Sequence, residues 1–304
     1  MSGTIARRDL LCACLVHALP VPGGQVPAPP KVKLGSYQVS RLIVGGNPIS
    51  GFSHFSAEMS REMVDYFTAE RVKALLRRCE AFGINTWQSR GDTHIMRLLH
   101  EYRLEGGRIQ WIAQTASEYA DIFRNIRTIA SYQPIAIYHH GTQTDRFWRA
   151  GQIDRTLDYL KAIRDTGVLV GLGTHIPEVI DYVESKGWDV DFYMTCLYNL
   201  SRTREEAERL TGAAVQGEFF WDPDRQAMLR RVRQASKPCL IFKVYAASRK
   251  CQSPDTMRSA LEEVLRAAKP TDCIVIGMFP KYKDQVAENC LLFHEALQAT
   301  RPTS

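Results

Sequence analysis

Seven consecutive residues, Gln88-Ser89-Arg90-Gly91-Asp92-Thr93-His94, set a cation, a carboxylate and an imidazole side by side just after a short apolar run. A carboxylate that orients an imidazole makes a general acid/base, because the imidazole titrates near neutrality and can both take up and return a proton. On that reading Asp92 orients His94, and His94 or His140 carries the proton. The same residues also suit a loop-stabilising network in which Arg90 pairs with Asp92 while His94 faces solvent.

His139 and His140 are neighbours on an extended segment, so one points inward and the other toward a helix. Lys243 can act as a Schiff-base amine or a base if burial lowers its pKa, or can contact a phosphate or a carboxylate. His54, Asp92, His94, His140 and His175 would be the ligands of a metal site, but Asp92 is nearly the sole carboxylate among them, so no metal is expected. The polar run from His139 to Arg146, with Trp87, Trp111 and Trp148 as a wall, suits a polyol or sugar and equally a small carbonyl compound.

Eight short apolar runs must position these groups: residues 42–45, 84–87, 109–113, 135–138, 168–172, 192–196, 240–244 and 273–277. Helical periodicity separates them. Val72, Leu75, Leu76 and Cys79 mark one face of a helix that Gly83 stops, and Leu157, Leu160 and Ile163 mark another before Gly167. Pro177 opens a helix that ends near Gly187, and Asp222-Pro223 and Ser253-Pro254-Asp255 read as the caps and first turns of two more. Eight β–α units over residues 31–304 predict an α/β chain folded as one (β/α)8 (TIM) barrel. A doubly wound open sheet fits less well, because Gly45-Gly46-Asn47-Pro48 leads into a loop rather than a helix.

Chemistry in such a barrel gathers at the carboxyl ends of the strands. Just past each run stand Asn47 and His54; Gln88, Arg90, Asp92 and His94; Gln114; His139 and His140; Thr174 and His175; Tyr198 and Asn199; Lys243 and Tyr245; and Met278. Of these, Gln88, Arg90, Gln114, His175, Asn199 and Lys243 are expected to contact substrate.

The chain has 304 residues, 45% hydrophobic and 24% charged, enough for one large core. Its 39 Lys+Arg against 33 Asp+Glu give +6, and the basic residues are scattered rather than gathered in a stripe, which argues against a nucleic-acid partner. No pair of its eight cysteines forms a CxxC motif, so a disulfide framework is not expected. Residues 1–30 read as an extension: Arg7-Arg8, an apolar stretch from Leu10 to Leu19 and a Pro/Gly-rich segment resemble a twin-arginine export signal with a linker. A periplasmic protein follows from that reading, a cytoplasmic one if the segment is an unprocessed tail. No stretch is long and apolar enough for a transmembrane span.

Five segments resemble the aldo-keto reductase superfamily in collinear order. They are Val39 to Asn47, Phe82 to Thr86, Tyr138-His139-His140-Gly141, Leu197-Tyr198-Asn199-Leu200, and Gln285-Val286-Ala287-Glu288-Asn289. The resemblance implies a nicotinamide cofactor, NADP or NAD, whose adenosine end lies at Gln285, Glu288 and Asn289 and whose ring could stack on Tyr198. It also makes His140, followed by Gly141, the inward histidine. The family's reductases use an Asp, Tyr, Lys and His tetrad. Here Gln88, Thr93 and Gln114 or Thr115 stand at the first three positions and only His140 matches. Gly173, Thr174 and Thr195 likewise replace the usual carboxamide contacts. What the resemblance implies is a divergent oxidoreductase acting on a small carbonyl or polyol substrate, with His140 and the Asp92/His94 pair moving the proton. A lyase, isomerase or hydrolase on the same barrel, or a barrel that only binds a ligand, is the alternative.

Overall fold

The computed structural model describes residues 26–300. The twin-arginine and apolar segment lies outside them. Eight parallel strands close into a barrel: β3 (Leu42–Gly45), β4 (Thr86–Arg90), β5 (Gln110–Gln114), β6 (Ala136–His139), β7 (Leu169–Thr174), β8 (Phe192–Cys196), β9 (Cys239–Phe242) and β10 (Cys273–Gly277), with β10 returning to pair with β3. The protein is a (β/α)8 barrel, as the alternation of apolar runs and helical periods predicts.

Side chains alternate across each strand, which divides the apolar residues between two cores. Ile43, Ile112, Ala136, Tyr138, Phe192, Met194, Leu240 and Val275 fill the lumen. Val44, Trp87, Trp111, Ile137, Leu172 and Tyr193 point outward to the helices. Gly171 on β7 makes the lumen fit, since a Cβ there would meet the Phe192 ring at 2.3 Å. Trp87 and Trp111 are therefore buried under helices, and Trp148 packs against Tyr182 on the outer layer, so the three do not form a wall for a sugar.

The helices that matter for the mouth are α1 (Ala57–Tyr66), α2 (Ala69–Ala81), α3 (Thr93–Leu104), α4 (Ile122–Ser131), α5 (Gly141–Arg149), α6 (Thr156–Arg164), α7 (Pro177–Ser185), α8 (Arg204–Thr211), α9 (Asp222–Gln234), α10 (Pro254–Ala267) and α11 (Gln285–Ala299). In α2 the four residues picked out by spacing are all buried, Thr68 caps the start, and Gly83 follows with φ +80°. Leu76 is fully buried there, so its truncation to Ala would cost about 2–5 kcal/mol. Pro254 opens α10 behind its Ser253 cap, whereas Asp222 lies inside α9 and Trp221 takes the cap position.

The carboxyl ends of β4, β5, β6, β7 and β9 differ from expectation, and those of β4 and β9 bear on the mouth. β4 runs to Arg90 because Gln88 points into a lumen that is polar at its mouth, and polarity there had the look of a loop. β9 stops at Phe242 because Lys243 adopts φ +64°, a left-handed conformation that breaks the extended strand.

A further element precedes the barrel. Residues 31–40 form an antiparallel hairpin, β1 (Lys31–Leu34) with β2 (Tyr37–Ser40), turning at Gly35 with φ +58°. Leu34 and Val39 are buried against the lumen residues. The Gln38 carbonyl accepts from Asn85 Nδ2 and from Gln110 Nε2, both at 2.9 Å, where β4 and β5 begin. The hairpin thus covers the amino-terminal end of the barrel.

Candidate active site

The carboxyl ends of β4 to β9 bring a set of polar side chains to the open end of the lumen. Gln88 Nε2 donates to Tyr138 Oη at 2.7 Å, linking β4 to β6 across the lumen. Burial raises the Tyr138 phenol far above its ordinary range, so it stays protonated. Because its oxygen already accepts from Gln88, its own proton is available to a ligand. Gln114 ends β5 next to these, in register with Tyr138.

Arg90 is the cation of the mouth. Its Nε lies 3.4 Å from Asp92 Oδ2, its other arm pairs with Glu118, and its guanidinium sits 5.1 Å from the Phe52 ring. Asp92 is the N-cap of α3, accepting from Ile95 N at 2.9 Å. That corrects the expected pairing: the Asp92 carboxylate is engaged by Arg90 and by the helix, and His94 lies exposed on the first turn of α3. An N-cap acid is placed there by the unpaired amides of the turn, a local demand that outweighs a nearby imidazole.

The two adjacent histidines diverge. His139 is buried on the outer side, bonded to Thr144 Oγ1 at 2.8 Å and stacked 5.0 Å from Tyr159. Burial pushes it down to about 3. His140 caps α5 on the mouth side and donates its backbone N–H to Thr115. Burial, with His175 and Arg90 beside it, pushes its imidazole down to about 4, and its Nδ1 is buried without a partner. His140 is thus a neutral ring with an unused nitrogen.

His175 is its electrostatic opposite. Asp145, on α5 and fully buried, takes His175 Nδ1 at 2.6 Å, the His175 backbone N–H at 3.1 Å and Thr174 Oγ1 at 2.6 Å. Gly141 and Gly173 let α5 lie this close to β7: a Cβ on Gly173 would meet the Gly141 nitrogen at 2.9 Å. Burial opposes charge on His175, but Cys196 and Asp145 outweigh it and raise the ring to about 10, so it is an imidazolium at neutral pH. Its ring stands edge-on to Phe242, 6.0 Å away, with Cys196 at the end of β8 beside it.

Asp145 stands in the sequence only as one residue of the polar run His139 to Arg146, and Cys196 only as the end of an apolar strand. The available signal was positional: Cys196 is the last residue of a strand on the lumen side.

A cleft of about 330 Å³ leaves the mouth between β10 and α11. Gln88, Phe242, Lys243 and Val275 line its inner end, and Lys283, Gln285, Glu288 and Asn289 its outer end. The three residues expected to hold the adenosine end of a nucleotide are therefore together on this wall. Gln285 Oε1 accepts from Phe279 N at 2.7 Å, and Asn289 Oδ1 accepts from Tyr245 Oη at 3.0 Å. Glu288 pairs through Oε1 with Lys283 at 2.6 Å, and its Oε2 is buried with no partner.

Between these ends the chain after β9 is strained. Ala246, Ala247 and Ser248 have φ of +49°, +50° and +72°, and left-handed non-glycine residues cost roughly 1–3 kcal/mol each. Ala247 and Ser248 line the cleft, and their backbone N–H groups have no partner among the described residues. Successive free amides in a turn make an anion-binding hollow.

Tyr198 and Asn199 are placed elsewhere. The Tyr198 ring is 1% exposed, packed 5.0 Å from Phe220 in the outer core, so it does not present a stacking face to the cleft. Asn199 Oδ1 is occupied by Ser201 N and Oγ in the turn after β8. His54, with φ +55°, bonds Glu218 at 2.5 Å and Asn47 at 3.2 Å. Among the described residues no group of three or more His, Cys, Asp and Glu side chains could hold a metal ion, and no helix is long and apolar enough to cross a membrane.

No family model matches the chain, and no curated protein matches it in sequence. Solved structures do match. A truncated 3-deoxy-D-arabino-heptulosonate 7-phosphate synthase from Thermotoga maritima aligns over 90% of each chain at 10% identity and a TM-score of 0.50. An aldo-keto reductase from Bacillus halodurans in its holo form aligns over 90% of this chain and 97% of its own at 12% identity and a TM-score of 0.52. An N-acetylneuraminic acid synthetase from Leptospira borgpetersenii serovar Hardjo-bovis, in complex with citrate, aligns over 91% and 92% at 9% identity and a TM-score of 0.50. At such identities the likeness concerns the barrel alone, which hosts reductases and synthases alike.

Proposed function

We propose that this protein is a divergent aldo-keto-reductase-like oxidoreductase that uses NADP or NAD on a small carbonyl or polyol substrate. One observation carries the reading: a single cleft joins the barrel mouth to the start of α11, and its walls hold free amides and an unpartnered carboxylate oxygen. These suit the parts of a dinucleotide. The amides of Ala247 and Ser248 would take the diphosphate, Glu288 Oε2 would accept from the adenosine end beside Gln285 and Asn289, and the ring would lie toward Phe242 and Gln88. When bound, the cofactor supplies or accepts hydride.

The chain's own groups would manage the proton. Tyr138 Oη and the His175 imidazolium are the two donors at the mouth, and a carbonyl oxygen becoming an alcohol needs one. Asp145 positions His175 and keeps it charged. His140, neutral and with an unpartnered Nδ1, would accept a substrate hydroxyl; Gln88 lines the cleft, and Arg90 and Gln114 end the neighbouring strands β4 and β5. This keeps the expected role of His140 and moves the assisting imidazole from His94 to His175.

Titration of the purified protein with NADPH and NADH, followed by nucleotide emission, tests the reading. Saturable binding at micromolar nucleotide supports it and directs a carbonyl screen. Absence of binding at millimolar nucleotide overturns it.

A further inference from the structure

Lys243 is the one lysine that lines the inner end of the cleft, and its amine has no hydrogen-bond partner. Its side chain is 6% exposed, and its Nζ is buried. Glu218 Oε2 is 3.8 Å away, beyond hydrogen-bond reach, and the Phe220 ring centroid is 5.4 Å away. The backbone supports this placement at a cost, with φ +64° at a residue that is not glycine. An amine used only for structure would be given acceptors, as Lys73 is by Glu70 and Glu105.

We infer that Lys243 is an imine-forming amine, and that the cleft takes a small aldehyde or 2-keto acid which it captures covalently. The Lys243 nitrogen adds to the carbonyl carbon, forming a C–N bond. The two amine protons then leave with the carbonyl oxygen as water, giving the C=N bond, which accepts a solvent proton. Such capture needs a neutral amine. The titratable and charged groups facing Lys243 are Cys196 from β8, Glu218 from the segment before α9, and Arg249 from the loop after β9. Burial outweighs Glu218 and lowers the lysine to about 8, so a useful fraction is neutral at physiological pH.

This site does not depend on the nucleotide reading, because capture is tested with no nucleotide present and either idea can fail alone. The full chain is incubated with pyruvate or glycolaldehyde and cyanoborohydride, then measured by intact mass and peptide mapping. One saturable adduct per chain, on Lys243, is expected, with labelling half-maximal near pH 8. Lys243→Arg, checked for folding by its melting temperature, should lose that adduct. Glu218→Gln keeps the amine but removes its nearest carboxylate, so labelling should persist with its midpoint moved to lower pH. Three outcomes would overturn the inference: no adduct with either probe, adducts spread over surface lysines and unchanged in Lys243→Arg, or an unmoved midpoint in Glu218→Gln.

Discussion

His175 Nδ1 lies 2.6 Å from Oδ2 of Asp145, a carboxylate that comes from the preceding β–α unit and is wholly shielded from solvent. Two units of the barrel are therefore joined at the mouth by one charge-assisted hydrogen bond.

Replacing Asp145 with Asn should drop the His175 pKa from about 10 toward or below its ordinary 6.5 and cost roughly 3 kcal/mol, the usual penalty for orphaning one side of a buried pair. A pKa raised in the folded state contributes stability that is complete below 6.5 and lost as pH rises through about 10. Urea unfolding should accordingly separate wild type from variant widely at pH 6 and little above pH 10. Imidazole proton NMR reads the titration directly; an unchanged His175 midpoint would contradict the assignment.

His139 and His140 have the opposite sign. Both are neutral in the fold, at about 3 and about 4, and would protonate near 6.5 when unfolded. Between those limits the unfolded chain binds more protons, so stability falls as pH falls, by up to about 1.4 kcal/mol per pH unit for each ring. The variant His139→Gln should show a shallower loss between pH 6 and pH 4 in thermal melts.

Asp92 and His94 separate by their structural work. Asp92→Ala removes an N-cap and loosens Arg90, and should cost about 1 kcal/mol in chemical denaturation. His94→Ala alters an exposed side chain and should stay within about 0.5 kcal/mol of wild type. Equal costs for the two would mean that His94 is held more firmly than its exposure implies.

On the nucleotide reading, Glu288→Gln should weaken NADPH or NADH binding about tenfold, equivalent to about 1.4 kcal/mol, because it removes a charged acceptor from the cleft wall. Calorimetric titration of both proteins at equal salt measures the ratio, and equal affinities would remove Glu288 from the site.

The order of the strands was legible because β-branched and apolar runs of strand length cannot be confused with the periodic helices between them. What failed were the places where one residue serves the mouth and the strand at once. Gln88, Ser89 and Arg90 end β4 but carry loop-like polarity, and Lys243 ends β9 by its backbone conformation rather than by its type. The hairpin was overlooked because Lys31 to Ser40 alternates over only four residues on each side of its turn. In the site, His140 and the Gln285 to Asn289 segment came from the family resemblance, whereas Asp145 entered only as one residue of the polar run His139 to Arg146: a carboxylate on a helix reads as surface until the partner at β7 is known. Asp92 shows the converse, since a residue beside an imidazole in sequence can be spoken for by the helix it starts.

The hairpin across the amino-terminal end of the barrel also bears on kinetics. Leu34 and Val39 add to a lumen already packed with side chains, so a ligand approaches the strand ends from the carboxyl side. Two reactants sharing that approach queue: the one seated deeper arrives first and departs last. A two-substrate reaction here would therefore run in compulsory order, with the late-leaving product competing against the leading reactant.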